Sequence, residues 1–388
     1  MIEELRTVEN EDHLIAAIKG QKTSPTIVFI GGIHGNEKAG IKALEKVLQK
    51  IDNENIKIYG NFFALRGNIT ALELGVRYTD VDLNRIWTLQ NIRDISRQDL
   101  ANKYADIAEL KKLHTIITEI FNSCKGPFYF IDLHTTSADT IPFITISDSL
   151  NNRKFAKHFS VPVILGIEEY LDGPLLTYIN EFGHVALGFE GGQHYSQRAV
   201  DNCEAFIWLS LKTAGCLKKK QIEDYGKYKK LLSINPGEQH FYEIDYRYAI
   251  NKDETYVMHN GFSNFQNIEK GELLGFSNTK EIHANMGGKI FMPLYQKQGE
   301  DGFFIITRIS AFWMQLSIWG RKLKLHNFLR ILPGIEQAKG EVHTLIVNQK
   351  TAAFLATEIF HLFGYRKRVK KDGKLYFTKR DRKVSNFI

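Results

Sequence analysis

Residues 25–37 read PTIVFIGGIHGNE, and their pattern is the clearest indication of the fold class. The apolar and largely β-branched run up to Ile30 is typical of a buried strand, which Gly31 and Gly32 end. Residues 38–51 then carry apolar side chains at intervals of three and four, and this spacing predicts an amphipathic helix. A strand that leads directly into a helix indicates an α/β unit.

The same alternation continues through the first half of the chain. Strand-like runs at 56–65, 128–131 and 185–189 are accompanied by a second long helical pattern between residues 100 and 117. Strands that alternate with helices predict a largely parallel or mixed sheet flanked by helices. After about residue 215 the pattern changes to short strand-like pieces separated by glycine, asparagine and charged turns. That change predicts a smaller β-rich domain.

Composition indicates an ordinary globular protein of 388 residues, with 43% hydrophobic and 24% charged residues. The N-terminal residues MIEELRTVENEDHLI contain no apolar run of signal-peptide length. We find no apolar stretch near the roughly 18 residues that a membrane-spanning helix needs. The three cysteines form no CxxC pair and are too few for a disulfide framework. We therefore expect a cytoplasmic protein.

The net charge of +7 is concentrated near the C-terminus. Residues 366–383 contain ten Lys or Arg and two Asp, a local charge of +8 that leaves the rest of the chain at −1. Such a run usually forms a solvated face or a disordered end. The alternative is that it contacts nucleic acid or another anionic surface. The aromatic patch from Phe312 to Trp319, followed by basic residues 321–324, could also lie in a membrane interface.

Residues that can bind a metal follow two of the predicted strands. His34 and Glu37 come directly after the first strand, and His134 ends the run IDLH. Because ligands of open α/β sheets lie beyond the carboxyl ends of the strands, we expect these side chains to meet. Two histidines and one carboxylate form the pattern of a catalytic zinc site. Asp132 is placed to orient the imidazole of His134. Taken singly, each motif also fits a solvated turn or a core histidine.

Two further segments carry residues that could serve catalysis. RYTDVDLNR, residues 77–85, places two arginines and Asn84 within nine positions, a set suited to a planar carboxylate. The alternative is a surface loop in which the arginines pair with Asp80 and Asp82. Glu190 ends a strand-like run and precedes two glycines, where a carboxylate can act as a general base.

The segments HGNE (34–37), RYTDVDLNR (77–85), DLH (132–134) and FEGG (189–192), in this order and at these intervals, resemble the succinylglutamate desuccinylase/aspartoacylase family. That family is a branch of the zinc carboxypeptidase superfamily, and the resemblance covers about residues 25–305. It implies a zinc-carboxypeptidase-like mixed sheet flanked by helices, one Zn²⁺ per chain, and removal of the acyl group from a small, carboxylate-bearing N-acyl amino acid.

The resemblance also implies a role for each matching residue. His34, Glu37 and His134 match the zinc ligands, and Glu190 matches the general base and acid. Arg77 matches the arginine that polarises the scissile carbonyl. Three residues match substrate-binding positions, namely Asn84 and Arg85 for a substrate carboxylate and Tyr295 for a tyrosine that closes over the substrate.

Three domains are expected on this basis. Residues 1–215 would form the zinc hydrolase catalytic domain and residues 216–310 a β-rich capping domain. Residues 311–388 would form a basic, aromatic-rich extension whose role the resemblance does not cover.

One departure from the family bears on the substrate. Aspartoacylases carry a second carboxylate-binding arginine roughly ten residues before the catalytic glutamate, and Asn180 occupies that position here. This difference puts N-acetylaspartate in doubt as the substrate. Two other interpretations stay open. The first is a metallocarboxypeptidase that acts on peptides with a free C-terminus. The second is a pseudoenzyme, although the presence of every proposed catalytic residue argues against it.

Overall fold

The computed structural model describes residues 12–95, 104–233, 240–348, 357–371 and 373–385. Within these residues the chain forms a mixed sheet of eleven strands in the order β1-β3-β2-β4-β7-β5-β6-β8-β14-β13-β10. Those strands are β1 Leu14–Ile18, β2 Thr26–Gly31, β3 Asn61–Arg66, β4 Phe128–Thr136, β5 Phe143–Ile146, β6 Val163–Leu165, β7 Val185–Gln193, β8 Phe241–Ala249, β10 Asn267–Ile268, β13 Gly288–Phe291 and β14 Asp301–Ile309.

Two smaller antiparallel sheets complete the β structure of the described residues. One consists of β9 Tyr256–Met258, β11 Leu273–Ser277 and β12 Lys280–His283, and the other of β15 Ile335–Gln337, β16 Thr344–Asn348, β17 Tyr365–Lys371 and β18 Lys374–Lys379. The helices are α1 Ala39–Asn53, α2 Ile69–Leu74, α3 Leu89–Ile95, α4 Ala105–Ser123, α5 Leu150–Ala156, α6 Leu175–Glu181, α7 Gln197–Ala214, α8 Tyr225–Leu231, α9 Ala311–Lys322 and α10 Thr357–Leu362. Within the described ranges, none of them is long and apolar enough to cross a membrane.

The centre of the large sheet is parallel. Strand β2 pairs in parallel with β3 and β4, and β4 pairs in parallel with β7. Ile27 and Phe29 pack on the face covered by α1 and α7, whereas Val28 and Ile30 pack on the face covered by α4 and α6. Burial on both faces explains why β2 is a continuous apolar run rather than an alternating one.

The expected fold class, a mixed sheet flanked by helices with a β-rich C-terminal region, is confirmed. The sheet is continuous across residue 215, because β8 pairs in parallel with β6 and antiparallel with β14. The division into domains at that residue therefore stays a prediction. The strand expected over 56–65 begins at Asn61, since the amide of Tyr59 donates to the carbonyl of Cys216 at the end of α7 rather than to a neighbouring strand.

The interpretation of residues 366–383 as a solvated face or disordered end is wrong for two of its arginines. The run forms the hairpin β17–β18, and the side chains of Arg366 and Arg380 are buried. Both arginines are buried because carboxylates of the N-terminal half surround them, Glu169 for Arg366 and Glu168 for Arg380. The C-terminal region is thus packed against the large sheet through charged groups.

Asp148, which lies just after β5, is the centre of this packing. Its buried carboxylate accepts hydrogen bonds from Arg153 of α5, from Arg321 of α9 at 2.9 Å and from Arg366 of β17 at 2.7 Å. Burial alone would raise the pKa of Asp148, but the three guanidinium groups hold that pKa well below its usual range. One carboxylate therefore joins three segments that are distant in sequence.

We expect Asp148→Asn to lower the free energy of unfolding by about 3–5 kcal/mol at neutral pH, because it leaves buried guanidinium groups without their anion. Urea denaturation at pH 7 measures this loss. The matched control is Asp201→Asn, which removes an exposed ion pair with Lys46 and should change stability by less than about 1 kcal/mol.

The same variant gives a pH test. Since the folded-state pKa of Asp148 is depressed, its contribution is present above the unfolded pKa of about 3.9 and is lost as the pH falls through the folded value. The stability difference between wild type and variant should therefore shrink in strong acid. Equal stabilities at pH 7 would contradict the role given to Asp148.

Candidate active site

The turn after β2 has a backbone that favours glycine. Gly32 has a φ of 72°, in the left-handed region, and a Cβ on Gly35 would lie 2.0 Å from the carbonyl carbon of Ala71. The amide of Glu37 donates to the carbonyl of His34 at 3.1 Å. The tight turn brings the side chains of His34 and Glu37 together at the end of the strand.

Three metal-binding side chains meet at this point. The Nδ1 atom of His34 lies 2.9 Å from Oε1 of Glu37, and the Nδ1 atom of His134 lies 3.0 Å from Oε2. All three residues are buried, and one ligand atom from each lies within 4.8 Å of the others. His134 is on β4, the parallel neighbour of β2, so the two strands end at the same edge. Although burial raises the pKa of Glu37, the two histidines bring it well below its ordinary value.

A second carboxylate lies behind each imidazole. Nε2 of His134 is 2.7 Å from Asp132, the residue expected from the sequence to orient it, and Nε2 of His34 is 3.1 Å from Asp82. A proton held on Nε2 by these carboxylates leaves the lone pair of Nδ1 available on the side of Glu37. Asp82 was missed as an orienting residue because its position in RYTDVDLNR fits a salt bridge to arginine equally well.

The segment that carries Asp82 is itself held by Asp106 at the start of α4. Its buried carboxylate accepts hydrogen bonds from the amides of Asp80 and Val81 and from the hydroxyl of Thr79, at 2.6 to 3.0 Å. The amide side chain of Asn68 adds a fourth donor. These donors lower the pKa of Asp106 although its burial acts in the opposite direction. The sequence offers no signal for this contact, since Asp106 lies within an ordinary helical pattern.

Arg77 connects the metal-binding residues to this segment. Its guanidinium donates to Oδ2 of Asp82 at 3.2 Å and lies 3.4 Å from Oε1 of Glu37. The sequence-based alternative of an arginine paired with Asp82 is therefore also observed. Because the guanidinium is largely buried beside Glu37, it can act on a polar group bound at the same place.

Glu190 faces the site from the next strand. It lies opposite His134 in the register of β4 and β7, and its carboxylate is buried. Within the described residues its Oε2 atom has no hydrogen-bond partner. Burial raises the pKa of Glu190 to about 8, and the charges of Glu37 and Asp132 act in the same direction. A buried, unpartnered carboxyl group of this kind can take up and release a proton.

These residues line one cavity of about 130 Å³. Asn84 accepts a hydrogen bond from the amide of Leu175, which leaves its side-chain NH₂ group as a donor, and Arg85 lies 3.7 Å from Asp301. The β-rich segment supplies part of the wall, namely Met292, Pro293, Leu294, Gln296, Gly299, Glu300, Asp301 and Phe304. That segment's share of the wall could not be predicted from the motifs.

Two residues discussed from the sequence lie apart from this cavity. The hydroxyl of Tyr295 donates to the carbonyl of His259 and accepts from the amide of Phe262, and the ring is not part of the cavity wall. Asn180 is buried in α6, where it bonds to Asn152 and to the carbonyl of Leu176. The α6 residues that do reach the cavity, Leu176 and Thr177, carry no charge.

Comparison with known proteins agrees with this geometry. Residues 23–206 match the profile of the succinylglutamate desuccinylase/aspartoacylase catalytic domain. This region, just under half of the chain, is similar in sequence to the catalytic domain of that family. The match contains His34, Glu37, His134 and Glu190 and ends before β8.

The curated relatives of this region are distant in sequence. A succinylglutamate desuccinylase from Pseudoalteromonas atlantica is 29% identical over 116 residues, which are 29% of this chain and 32% of the relative. One from Pseudomonas aeruginosa is 27% identical over 121 residues. The chain thus aligns with about a third of the length of these curated relatives.

Solved structures show the same fold over a longer range. The succinylglutamate desuccinylase from Chromobacterium violaceum superposes with a TM-score of 0.54 at 14% identity and covers 74% of this chain and 86% of that one. The ectoine utilization protein EutE (DoeB) from Ruegeria pomeroyi superposes with a TM-score of 0.54 at 17% identity and covers 75% and 87%. At these identities the likeness shows the fold alone.

We expect Asp82→Asn to weaken binding of a divalent metal about 10- to 100-fold, because the amide no longer fixes the imidazole of His34. Competition with a chelating dye measures the affinity. Asp80→Asn, two residues away and exposed, is the matched control and should bind metal like the wild type. Equal affinities for the two variants would remove Asp82 from this role.

Proposed function

We propose that the protein is a zinc-dependent amidohydrolase that removes the acyl group from an N-acyl amino acid. The observation that supports this most directly is the convergence of two imidazole Nδ1 atoms on Glu37, in a cavity that also holds Glu190 and two arginines. The curated relatives are succinylglutamate desuccinylases, which is consistent with an acyl amino acid as substrate.

The chemistry of the donor set fits zinc. Zinc takes nitrogen and carboxylate ligands at about 2.0–2.2 Å in a tetrahedral arrangement, which separates neighbouring donors by about 3.4 Å. The observed separations of 2.9 and 3.0 Å between each Nδ1 and Glu37 need only a small expansion. Zinc at His34, Glu37 and His134 would supply an activated water and polarise the scissile carbonyl.

Glu190 is the residue proposed to move protons. The positive charge of a bound metal would favour the ionised form of Glu190, whose unpartnered Oε2 would then accept a proton from the attacking water and return it to the leaving amine. Arg77, held by Asp82 at the edge of the same cavity, would donate hydrogen bonds to the oxygen on which negative charge develops. One such donor is commonly worth about 3–4 kcal/mol of transition-state stabilisation.

Asn84 and Arg85 would hold the carboxylate of the substrate. The NH₂ group of Asn84 is free to donate because the side-chain oxygen is engaged with Leu175. Arg85 shares Asp301 with Arg247, so binding of a substrate carboxylate to Arg85 would leave Asp301 with a partner. Such an exchange lowers the cost of drawing Arg85 towards the substrate.

The runner-up function is a metallocarboxypeptidase, which needs the same zinc ligands, base and carboxylate clamp. The β-rich segment favours the acyl amino acid, because Leu294, Gln296 and Asp301 form part of the wall of a cavity of only about 130 Å³. A cavity of that size suits a small substrate better than an extended peptide. The two functions are separated by the range of substrates that release an amine.

We expect the zinc-loaded wild type to release amine from members of a panel of N-acyl amino acids that includes N-succinylglutamate. Peptides with a free C-terminus should react slowly or not at all. The amine is quantified by fluorescent derivatisation. Cleavage confined to the peptides would contradict the proposal and assign the protein to the carboxypeptidases.

Glu190→Gln should keep its zinc and lose about 10²- to 10⁴-fold in kcat, because the amide cannot accept the proton. Zinc content is measured by atomic absorption on the same preparation. Glu73→Gln, an exposed carboxylate on α2, is the control and should retain full activity. Near-normal turnover of the zinc-loaded Glu190 variant would show that another group is the base.

Arg85→Met should raise KM for acyl amino acids by about tenfold or more while it changes kcat less, because it removes a charged partner of the substrate carboxylate. Steady-state kinetics on the best panel member measures both constants. Arg198→Met, an exposed arginine on α7, should leave KM unchanged. An unaltered KM in the Arg85 variant would exclude this residue from carboxylate binding.

A further inference from the structure

A second cavity, of about 320 Å³, lies where the C-terminal region meets the large sheet, apart from the proposed active site. Its wall contains one acidic residue, Asp381, and six basic residues, namely Arg321, Lys322, Lys324, Lys379, Arg380 and Arg382. The cavity therefore has a strongly positive lining.

Some of these cations are already neutralised. Arg321 pairs with the buried Asp148, and Arg380 and Arg382 lie against Glu181. The single acidic side chain of the wall, Asp381, accepts a hydrogen bond from the amide of Leu150. These carboxylates thus have other partners, although the charge of Asp381 also acts on Lys379 and raises its pKa against the effect of burial.

Three lysines are not neutralised in this way. Within the described part of the chain, no carboxylate oxygen lies within 4 Å of the Nζ atoms of Lys322, Lys324 or Lys379. Lys322 and Lys324 are exposed, whereas Lys379 is half-buried and its pKa is lowered by that burial. One carboxylate cannot balance three ammonium groups on the same cavity wall, and these groups repel each other unless a further anion lies between them.

His326 adds a buried donor to the same wall. Its Nε2 atom bonds to Nζ of Lys379 at 2.7 Å, and burial together with the nearby cations lowers the pKa of the imidazole to about 4. The ring is therefore neutral at pH 7 and carries its proton on Nδ1. That atom is buried and has no hydrogen-bond partner within the described residues. An unpartnered buried N–H group requires an acceptor.

We propose that this cavity binds a phosphate-type dianion, with Lys322, Lys324 and Lys379 as its charge partners and His326 as a neutral donor. Lysine binds phosphate as a flexible point charge, which suits ammonium groups carried by different segments around one cavity. The site does not depend on the hydrolase activity proposed above. The phosphate group can belong to a soluble ester or to the headgroup of a lipid.

The surface next to the cavity makes a lipid headgroup a second source of the phosphate, beside a soluble ester. Phe312 and Trp319 on α9 are more than half exposed and lie along the same groove as Lys322, which also borders the cavity. Aromatic side chains beside lysines are typical of surfaces that enter a membrane interface. A lipid headgroup is therefore tested beside free phosphate.

The test measures anion binding to the full-length protein with two kinds of probe. Titration calorimetry with inorganic phosphate and pyrophosphate tests the soluble source. Sedimentation with phosphatidylcholine vesicles, with and without phosphatidic acid, tests the lipid source. We expect saturable binding of at least one phosphate probe and, for vesicles, binding that requires phosphatidic acid.

Variants assign the binding to the cavity. Lys322→Ala combined with Lys379→Gln should weaken binding at least about tenfold, because each change removes a charge-assisted contact. Lys324→Asn removes the third charge with a residue that tolerates the left-handed backbone at this position, where φ is 57°. Lys227→Ala combined with Lys229→Ala, on exposed positions of α8, is the matched control for net charge.

Each outcome decides the proposal. Weaker binding in the cavity variants with unchanged binding in the control supports it, and the probe that binds identifies the source. Phosphate bound only at the active site would be insensitive to both lysine pairs, and that result would overturn the proposal. Equal losses in the two pairs, or no binding of any probe, would overturn it as well.

Discussion

The carboxylate of Glu37 lies between the Nδ1 atoms of two imidazoles. The surrounding residues are arranged so that this buried carboxylate stays in that position. Three buried histidine and glutamate side chains at one point are costly unless each has a partner. Asp82 and Asp132 supply the partners on the outer side of the imidazoles, and Arg77 supplies one for Glu37. Asp106 in turn holds the segment that carries Arg77 and Asp82. The proposed metal ligands are therefore surrounded by a second set of charged side chains, and both sets are positioned by the ends of parallel strands.

The sequence predicts much of this arrangement, because its motifs occur at strand ends. The run from Pro25 to Glu37 indicates both the buried strand and the metal-binding pair, and DLH indicates the third ligand with Asp132. Glu190 follows from the same principle, since it ends β7 beside β4. What the motifs alone do not contain is the order of strands that makes these ends neighbours. The general rule for open α/β sheets predicts a shared edge, whereas the strand order itself is visible only in the structure.

The remaining features depend on contacts between distant residues. Asp148 and Arg366 are 218 positions apart, and nothing in the basic run 366–383 shows that Arg366 is buried against a carboxylate. Strands β5 and β6 have only four and three residues, too few for a clear pattern. Tyr295 is a case in which a motif matched the family but the structure places the side chain elsewhere. Its hydroxyl group bonds to the backbone at His259 and Phe262. A local sequence motif can identify a candidate residue, but it does not show which way the side chain points in the folded protein.

A crystal structure of the zinc-loaded protein, with anomalous data collected at the zinc edge, is the most direct test of the proposed metal site. One strong anomalous peak is expected within about 2.0–2.2 Å of Nδ1 of His34, Nδ1 of His134 and the carboxylate of Glu37. A peak at other residues, or no peak at these three in protein that contains zinc, would contradict it.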